Sequence, residues 1–220
     1  MPIDINSFKS KIEQRKERTK ISTWNVHYQL TETFEKQILV QDMEDQKITV
    51  AALQETRCMN QEFEYKNAKL IMFEGKNQTN VHKRYGMGFY VAKQWVKFIK
   101  GSEYISDRIC IIHFDFEKAG SKNLSIINVY APTTDVANND RNKIANFYRD
   151  LTISYDKYSS DDNTVIIAGD FNAKVGKRQD LESCIGHFGK GIRNNNGNDL
   201  IDFLTEKNLF IANTHYRHPP

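Results

Sequence analysis

The chain has 220 residues, of which 39% are hydrophobic and 27% charged, with a formal net charge of +3. This length supports one sizeable domain with a real core, and the composition excludes a disordered chain. No apolar run approaches the roughly 20 residues of a membrane helix, and the first twenty residues lack a signal-peptide core. Three scattered cysteines in no metal or redox spacing suit a reducing compartment. We therefore expect a protein of the nucleus or cytoplasm that is not secreted and does not enter a membrane.

Residues 1–19 are expected to be a charged leader in front of a single domain that covers residues 20–220. Lys and Arg crowd this leader, but Glu13 and Glu17 dilute them, which is more typical of a solvated helix than of a binding arm. No repeat of 20–50 residues and no low-complexity linker divides the rest of the chain.

Short apolar runs rich in β-branched residues predict strands at 21–24, 48–53, 87–91, 109–116, 124–130, 165–168 and 209–212. The runs 109–116 and 124–130 are predicted to pair as a hairpin. Apolar residues at helical spacing predict helices over about 31–47, 140–158 and 197–207. Hairpins together with strands separated by helices predict a mixed-sheet α/β architecture with its helices outside.

The run at 165–168 is followed by Gly169, and then by an acid and an amide two residues apart, Asp170 and Asn172. Alternating side chains of an extended backbone point the same way, so these two can address one small target. A carboxylate accepts a proton or holds a hard cation, and a carboxamide donates to an anionic oxygen. This chemistry suits phosphodiester cleavage, although a strand followed by an ordinary Asp/Asn turn explains the same residues equally well.

Three other predicted strands also end in polar residues, namely Asn25, Glu55 and Tyr130. Side chains at strand ends are held by a rigid sheet while the loops leave room for a substrate. Each has a plainer explanation as a strand terminus, a surface charge or a capping aromatic. Taken together, the carboxylate and amide oxygens suit Mg²⁺ or Mn²⁺ and do not resemble a zinc site.

Six motifs in this order resemble the endonuclease/exonuclease/phosphatase superfamily, and most closely the apurinic-type endonuclease domain of non-LTR retrotransposons (LINE elements). They are Thr23-Trp-Asn25, Leu53-Gln-Glu55, Tyr85-Gly-Met-Gly-Phe89, Ser106-Asp-Arg108, Asn128-Val-Tyr-Ala-Pro132 and Gly169-Asp-Phe-Asn-Ala-Lys-Val-Gly176. The segments 189–203 and 209–214 are similar to the RTE-like clade and to relatives commonly named craniofacial development protein 2-like. The resemblance covers about residues 20–218.

The resemblance implies a four-layer α/β sandwich of the DNase I type, with two mixed β-sheets flanked by helices, and Mg²⁺-dependent hydrolysis of DNA. It implies that Glu55 is the principal metal carboxylate and that Asn25 helps to hold metal or phosphate. Tyr130 would hydrogen-bond the scissile phosphate, Asp170 would position or deprotonate the attacking water, and Asn172 would stabilise the developing charge. These five side chains are expected to converge at one end of the sandwich.

Other residues are candidates for contacts with the DNA backbone. Arg108 is a candidate phosphate clamp or else part of a buried ion pair, and Asn213 and Thr214 match a rim segment or else a strand end. Exposed cations could neutralise phosphates or simply provide solubility. These are Lys76, Lys83, Arg84, Lys174, Lys177, Arg178, Lys190 and Arg193.

The chain departs from the superfamily pattern at two places. The closing Ser-Asp-His signature has no counterpart, because no histidine here follows an Asp. We therefore expect an incomplete domain that lacks its last strands, exposes an apolar edge near Phe210, Ile211 and Tyr216, and has weak or absent activity. His27, two residues after Asn25, stands where many members carry an acid or a small residue. An inactive binding module and a phosphatase of the same superfamily remain the alternatives.

Overall fold

The computed structural model describes residues 19–27, 30, 32–75, 86–117, 120–180 and 182–217. Most of the predicted leader lies outside the described residues, as do Tyr85 and three of the candidate DNA-contacting cations, Lys76, Lys83 and Arg84. Within the described part, no helix is long and apolar enough to cross a membrane.

The first sheet has five strands in the order β1-β2-β5-β4-β3. They are β1 (Ile21–Asn25), β2 (Val50–Gln54), β3 (Gln61–Glu64), β4 (Ala68–Glu74) and β5 (Gly86–Ala92). β1 and β2 are parallel, which requires a crossover, and helix α1 (Thr33–Asp45) supplies it. The apolar stripe of α1, including Leu39 and Met43, packs on the outer face of this sheet.

The second sheet has four strands in the order β6-β7-β8-β9. They are β6 (Ile99–Ser106), β7 (Ile109–Phe114), β8 (Asn123–Tyr130) and β9 (Asn163–Asp170), and the short helix α2 (Lys93–Val96) precedes β6. β7 and β8 form the predicted antiparallel hairpin, whereas β8 and β9 are parallel. Helices α3 (Thr134–Asn139) and α4 (Arg141–Tyr158) make that crossover, and α5 (Asn195–Glu206) follows β9.

The two-residue period of the strands divides their apolar side chains between two faces. On β7, Cys110 and Ile112 join the core between the two sheets, while Ile109 and Ile111 pack in the outer core with residues of α4 and α5. The layers are therefore helix, sheet, sheet, helix. The predicted α/β sandwich of two mixed β-sheets flanked by helices is confirmed.

The strand predicted at 209–212 is wrong. This segment runs as irregular backbone into a short 3₁₀ helix, Ala212–Thr214, and the Ile211 amide donates to the Cys184 carbonyl over 2.8 Å instead of to a strand ladder. Phe210 and Tyr216 are exposed as expected, but Ile211 is half-buried. In the described part, β1 and β9 are edge strands of their respective sheets and contact each other.

Three strands were missed by the sequence reasoning. β3 has polar side chains on both faces because it is an exposed edge strand. β6 is the opposite edge of the second sheet, and its register shifts at two places, which obscures a two-residue period. β4 did carry a signal in Leu70 to Phe73, a continuous apolar run of the kind that buried strands have.

Gly169 allows β9 to approach β8 closely just before the strand ends. Its φ is +150°, and a Cβ built there would lie 2.0 Å from the carbonyl oxygen of Val129. Any larger residue would push the two strands apart next to Asp170.

We predict that Gly169→Ala lowers the free energy of unfolding by about 2–4 kcal/mol, because it adds both overpacking and backbone strain. Gly101→Ala is the matched control, since a Cβ at that β6 position would meet nothing within 4 Å. Urea denaturation of both variants measures the difference. Equal stability of the two variants would contradict the close approach of β8 and β9.

Candidate active site

Four of the predicted site residues meet at one end of the sandwich. The Asn25 amide nitrogen donates to Glu55 Oε1 over 2.9 Å and to Asp170 Oδ2 over 3.2 Å. The Tyr130 hydroxyl donates to the same Glu55 oxygen over 2.8 Å. One carboxamide thus joins a carboxylate of the first sheet to a carboxylate of the second.

Strand direction explains this convergence. β1 is parallel to β2 and β8 is parallel to β9, with Asn25 opposite Gln54 and Tyr130 opposite Asp170. The carboxyl ends of each parallel pair therefore lie at the same edge of their sheet. The contacts of Asn25 show that the two edges are at the same end of the sandwich.

The sequence left open whether Asp170 and Asn172 form an ordinary turn or face a ligand, and the contacts of Asn172 are compatible with both. Its backbone N–H donates to Asp170 Oδ1 over 2.9 Å, so that Asp170 does form an Asx turn. Its side-chain amide donates to the carbonyl of Ala131 over 2.9 Å, which fixes the loop after β9 against the loop after β8. A carboxamide nitrogen carries two hydrogens, so one remains for a ligand.

The backbone at this end of the sandwich is strained. Positive φ values near +50° occur at four non-glycine residues of the loops that carry or flank the site, namely His27, Glu55, Arg57 and Asn172. Such conformations cost about 1–3 kcal/mol each and persist only where the surrounding structure enforces them. Glu55 leaves β2 in this way, and its carboxylate reaches Asn25 and Tyr130.

The site favours an ionised Glu55. Burial raises the pKa of this carboxyl, but the hydrogen bonds from Asn25 and Tyr130 and the charges of His27 and Arg57 outweigh burial, so its pKa lies below the ordinary value. His27 Nδ1 lies 3.5 Å from Glu55 Oε2. Burial and the adjacent Glu55 carboxylate raise the pKa of Tyr130, which keeps its hydroxyl a hydrogen-bond donor.

Arg108 lies beside the cluster. Its guanidinium is 4.9 Å from the centre of the Tyr130 ring and donates to the carbonyls of Tyr130 and Ala131 over 3.2 and 3.4 Å. These contacts, to a ring and to backbone, hold the positive charge next to the Tyr130 hydroxyl group.

Among the other predicted DNA-contacting residues, Thr214 and Arg193 make hydrogen bonds within the protein. The Thr214 hydroxyl donates to the Ile211 carbonyl and accepts from the Gly186 amide, while Asn213 is exposed on the same 3₁₀ helix. Arg193 makes a two-point ion pair with Glu182, at 2.6 and 2.7 Å, and donates to the Val175 carbonyl. Because these bonds occupy its guanidinium, the expectation that Arg193 neutralises phosphates is not supported.

The loop between β9 and α5 is rich in exposed cations. Lys174, Lys177, Arg178 and Lys190 are exposed there. A groove of about 640 Å³ in this loop is lined by Lys177, Arg178, Gln179, Asp180, His187 and Gly189. The loop begins at Phe171, directly after Asp170, so this groove is close to the carboxylate cluster along the chain.

Sequence reasoning missed the amides that lie beneath the cluster, Gln54 and Asn128, both of which are fully buried. A signal was present, because Gln54 ends an otherwise apolar strand and Asn128 interrupts the apolar run Ile126 to Val129. His27 was noted for its position, but its contact with Glu55 depends on a positive φ that the sequence does not reveal.

The fold agrees with the comparisons to known proteins. The model of the Endonuclease/Exonuclease/phosphatase family matches residues 22–202, and because this match spans most of the chain, the protein belongs to that family. It is 29% identical over 217 residues to craniofacial development protein 2 of Tragulus javanicus, covering 99% of this chain but 36% of that protein. The chain thus spans about a third of the length of this relative.

Two solved structures have the same fold. One is an AP endonuclease from Archaeoglobus fulgidus, with a TM-score of 0.56 and 15% identity, covering 86% of this chain and 71% of that one. The other is the endonuclease domain of TRAS1, a telomere-specific non-LTR retrotransposon, with a TM-score of 0.53 and 13% identity, covering 86% and 70%.

We predict that Tyr130→Phe destabilises the protein by about 1–3 kcal/mol near neutral pH, because it removes a donor to a charged carboxylate. The folded-state pKa of Glu55 lies below its ordinary value, so its ionised form stabilises the fold above that ordinary pKa, and this contribution disappears as the pH falls through the lowered pKa. The cost of Tyr130→Phe should therefore shrink in acid.

Denaturation near neutral pH and below the lowered pKa measures this change. Tyr148→Phe is the matched control, because the buried Tyr148 hydroxyl has no hydrogen-bond partner among the described residues. A pH-independent cost for Tyr130→Phe, or an equal cost for both variants, would contradict the assigned hydrogen bond.

Proposed function

We propose that this chain is a Mg²⁺-dependent endonuclease domain of the retrotransposon type, which hydrolyses phosphodiester bonds in DNA. The observation that carries the proposal is the Asn25 carboxamide shared between Glu55 and Asp170, with the Tyr130 hydroxyl on the same Glu55 oxygen. Two acids, an amide and a phenol within hydrogen-bonding distance of one another provide a cation ligand, a proton acceptor and phosphate donors.

The donor set fits a magnesium ion that completes its coordination with water and substrate. Mg²⁺ is usually held by one or two carboxylates and keeps several waters. Glu55 would supply the carboxylate and Asn25 its carbonyl oxygen. Among the described residues, no three His, Cys, Asp or Glu side chains are grouped to hold a metal. When bound, the ion would stabilise charge on the phosphate oxygens.

The chain's own residues have separate tasks in this proposal. Tyr130 donates its hydroxyl to a phosphate oxygen, and Arg108 adds positive charge beside it. Asp170, oriented by Asn25 and by the Asn172 amide, accepts the proton of the attacking water as the new P–O bond forms. The bond from phosphorus to the leaving sugar oxygen breaks, and that oxygen takes up a proton from solvent water. Asn172 donates its remaining side-chain hydrogen to the charge that develops on the phosphate. Donors fixed before the reaction favour the transition state because they need no reorganisation.

We predict that the purified chain nicks supercoiled plasmid DNA only weakly in the presence of Mg²⁺ or Mn²⁺, because no histidine of this chain follows an Asp to supply the superfamily's closing Asp-His pair. Glu55→Gln should lower even this rate by at least about 10²-fold. The amide keeps the shape of the side chain but loses the charge that holds the cation. The matched control is Glu64→Gln, whose side chain is 70% exposed on the edge strand β3, and this variant should nick at the wild-type rate.

Two results would contradict this prediction. Nicking that survives Glu55→Gln would rule out the assigned carboxylate. DNA binding without any nicking by the wild-type chain would favour the alternative of an inactive binding module. Hydrolysis of small phosphomonoesters in place of plasmid would instead identify a phosphatase.

We predict that the basic groove after β9 binds the DNA backbone. The double variant Lys177→Ala, Arg178→Ala should weaken DNA binding equally for different sequences and lower the slope of log K against log salt by about 1.8. Lys100→Ala, Lys122→Ala is the matched control, because these exposed lysines belong to the other end of the second sheet. Fluorescence anisotropy at several salt concentrations measures both. An unchanged slope in the groove variant would exclude this groove from the interface.

A further inference from the structure

A layer of hydrogen-bonded amides lies between the apolar core and the carboxylate cluster. Gln54 Nε2 donates to Asn128 Oδ1 over 2.7 Å, and the Thr23 hydroxyl donates to Gln54 Oε1 over 3.1 Å. Asn128 Nδ2 donates to the carbonyls of Leu53 and Gly88, each over 2.9 Å. These bonds join β1, β2 and β5 of the first sheet to β8 of the second.

The members of this layer lie at similar positions along their strands relative to the residues of the carboxylate cluster. On the inner face of β8, the side chains proceed from Leu124 and Ile126, in the core between the sheets, to Asn128 and then to Tyr130. On β1, Thr23 is followed two residues later by Asn25. Gln54 immediately precedes Glu55. Every member of the amide layer thus stands one or two residues before a member of the cluster.

Because these hydrogen bonds are buried, they restrict the relative position of the two sheets. Gln54 and Asn128 have no exposed surface, so a sliding of one sheet over the other would leave buried amide groups without partners. Each such group costs about 1–3 kcal/mol. Apolar side chains, by contrast, tolerate small displacements because their contacts are not directional. The amides therefore select one relative position of the two sheets, and apolar residues at these positions would not.

We infer that Gln54 and Asn128 are positioning residues that align the two sheets so that Tyr130 and Asp170 meet Asn25 and Glu55. Tyr130 comes from the second sheet and Glu55 from the first, and their hydrogen bond needs the two sheets in register within a few tenths of an ångström. The backbone of β2 is held by Asn128 at Leu53, two residues before Glu55. Catalytic importance of the pair rests on the proposed function, whereas the alignment itself does not.

The test compares Gln54→Met, Asn128→Leu and the double variant with Ile126→Val. Ile126 is fully buried in the same inter-sheet core, so its change lowers stability without touching the amides. Each single variant should lower Tm by roughly 2–10 °C, because one amide loses its partner. The double variant should lower Tm by less than the two single changes combined, because neither amide of the pair remains to be left without its partner.

The distinguishing readout is the geometry of the site, measured at a temperature at which every variant is folded. In a crystal structure of the double variant, the Glu55 Oε1 to Tyr130 hydroxyl distance should lengthen beyond 3.5 Å from its 2.8 Å. The rate of plasmid nicking should fall by about 10²-fold through kcat, with KM little changed. Ile126→Val should keep both the distance and the rate.

An unchanged distance in the double variant would overturn the positioning role, and so would a nicking rate in the double variant that falls no further than that of Ile126→Val. If the wild-type chain does not nick DNA at all, the proposed function fails. The alignment is then judged by the crystal distance alone, where a retained hydrogen bond refutes it and a lost one supports it.

Discussion

The hydrogen bonds of Asn25 are the contacts on which the candidate site depends. A single carboxamide holds both Glu55 of the first sheet and Asp170 of the second. Beside the donor amide, Glu55 retains its charge with a lowered pKa, as cation binding requires. Strand direction, the close approach at Gly169 and the strained turn at Glu55 all serve to bring these groups to one place.

The side chains between the two sheets become more polar from the centre of the sandwich toward the candidate site. Between the sheets, apolar side chains are followed by amides and then by acids and a phenol. An apolar core provides most of the stability, while the directional bonds of Gln54 and Asn128 fix the relative position of the sheets. Precision at the site is therefore a property of the interface between the sheets as well as of the loops, and a change in a buried amide can affect a carboxylate that it does not touch.

Much of this could be predicted from the sequence. Short apolar runs rich in β-branched residues predict these strands, and the polar residue at the end of each run predicts Asn25, Glu55, Tyr130 and Asp170 as candidate site residues. The edge strands β3 and β6 could not be predicted, because three of the four β3 side chains are polar and β6 is interrupted by register shifts. Segment 209–212 was wrongly predicted to be a strand, because its apolar residues form a short run like that of a strand although they lie in a loop. The Arg193–Glu182 pair joins two positions of one loop, and no pattern in the sequence distinguishes that arginine from a cation that contacts DNA.

The central claim is that this end of the sandwich binds a divalent cation through Glu55. Crystals soaked in Mn²⁺ test it directly, because anomalous scattering locates the ion without reference to activity. We expect a peak about 2.0–2.2 Å from a Glu55 carboxylate oxygen, and no peak there in crystals of Glu55→Gln. A peak elsewhere, or one that persists at this position in Glu55→Gln, would contradict the account.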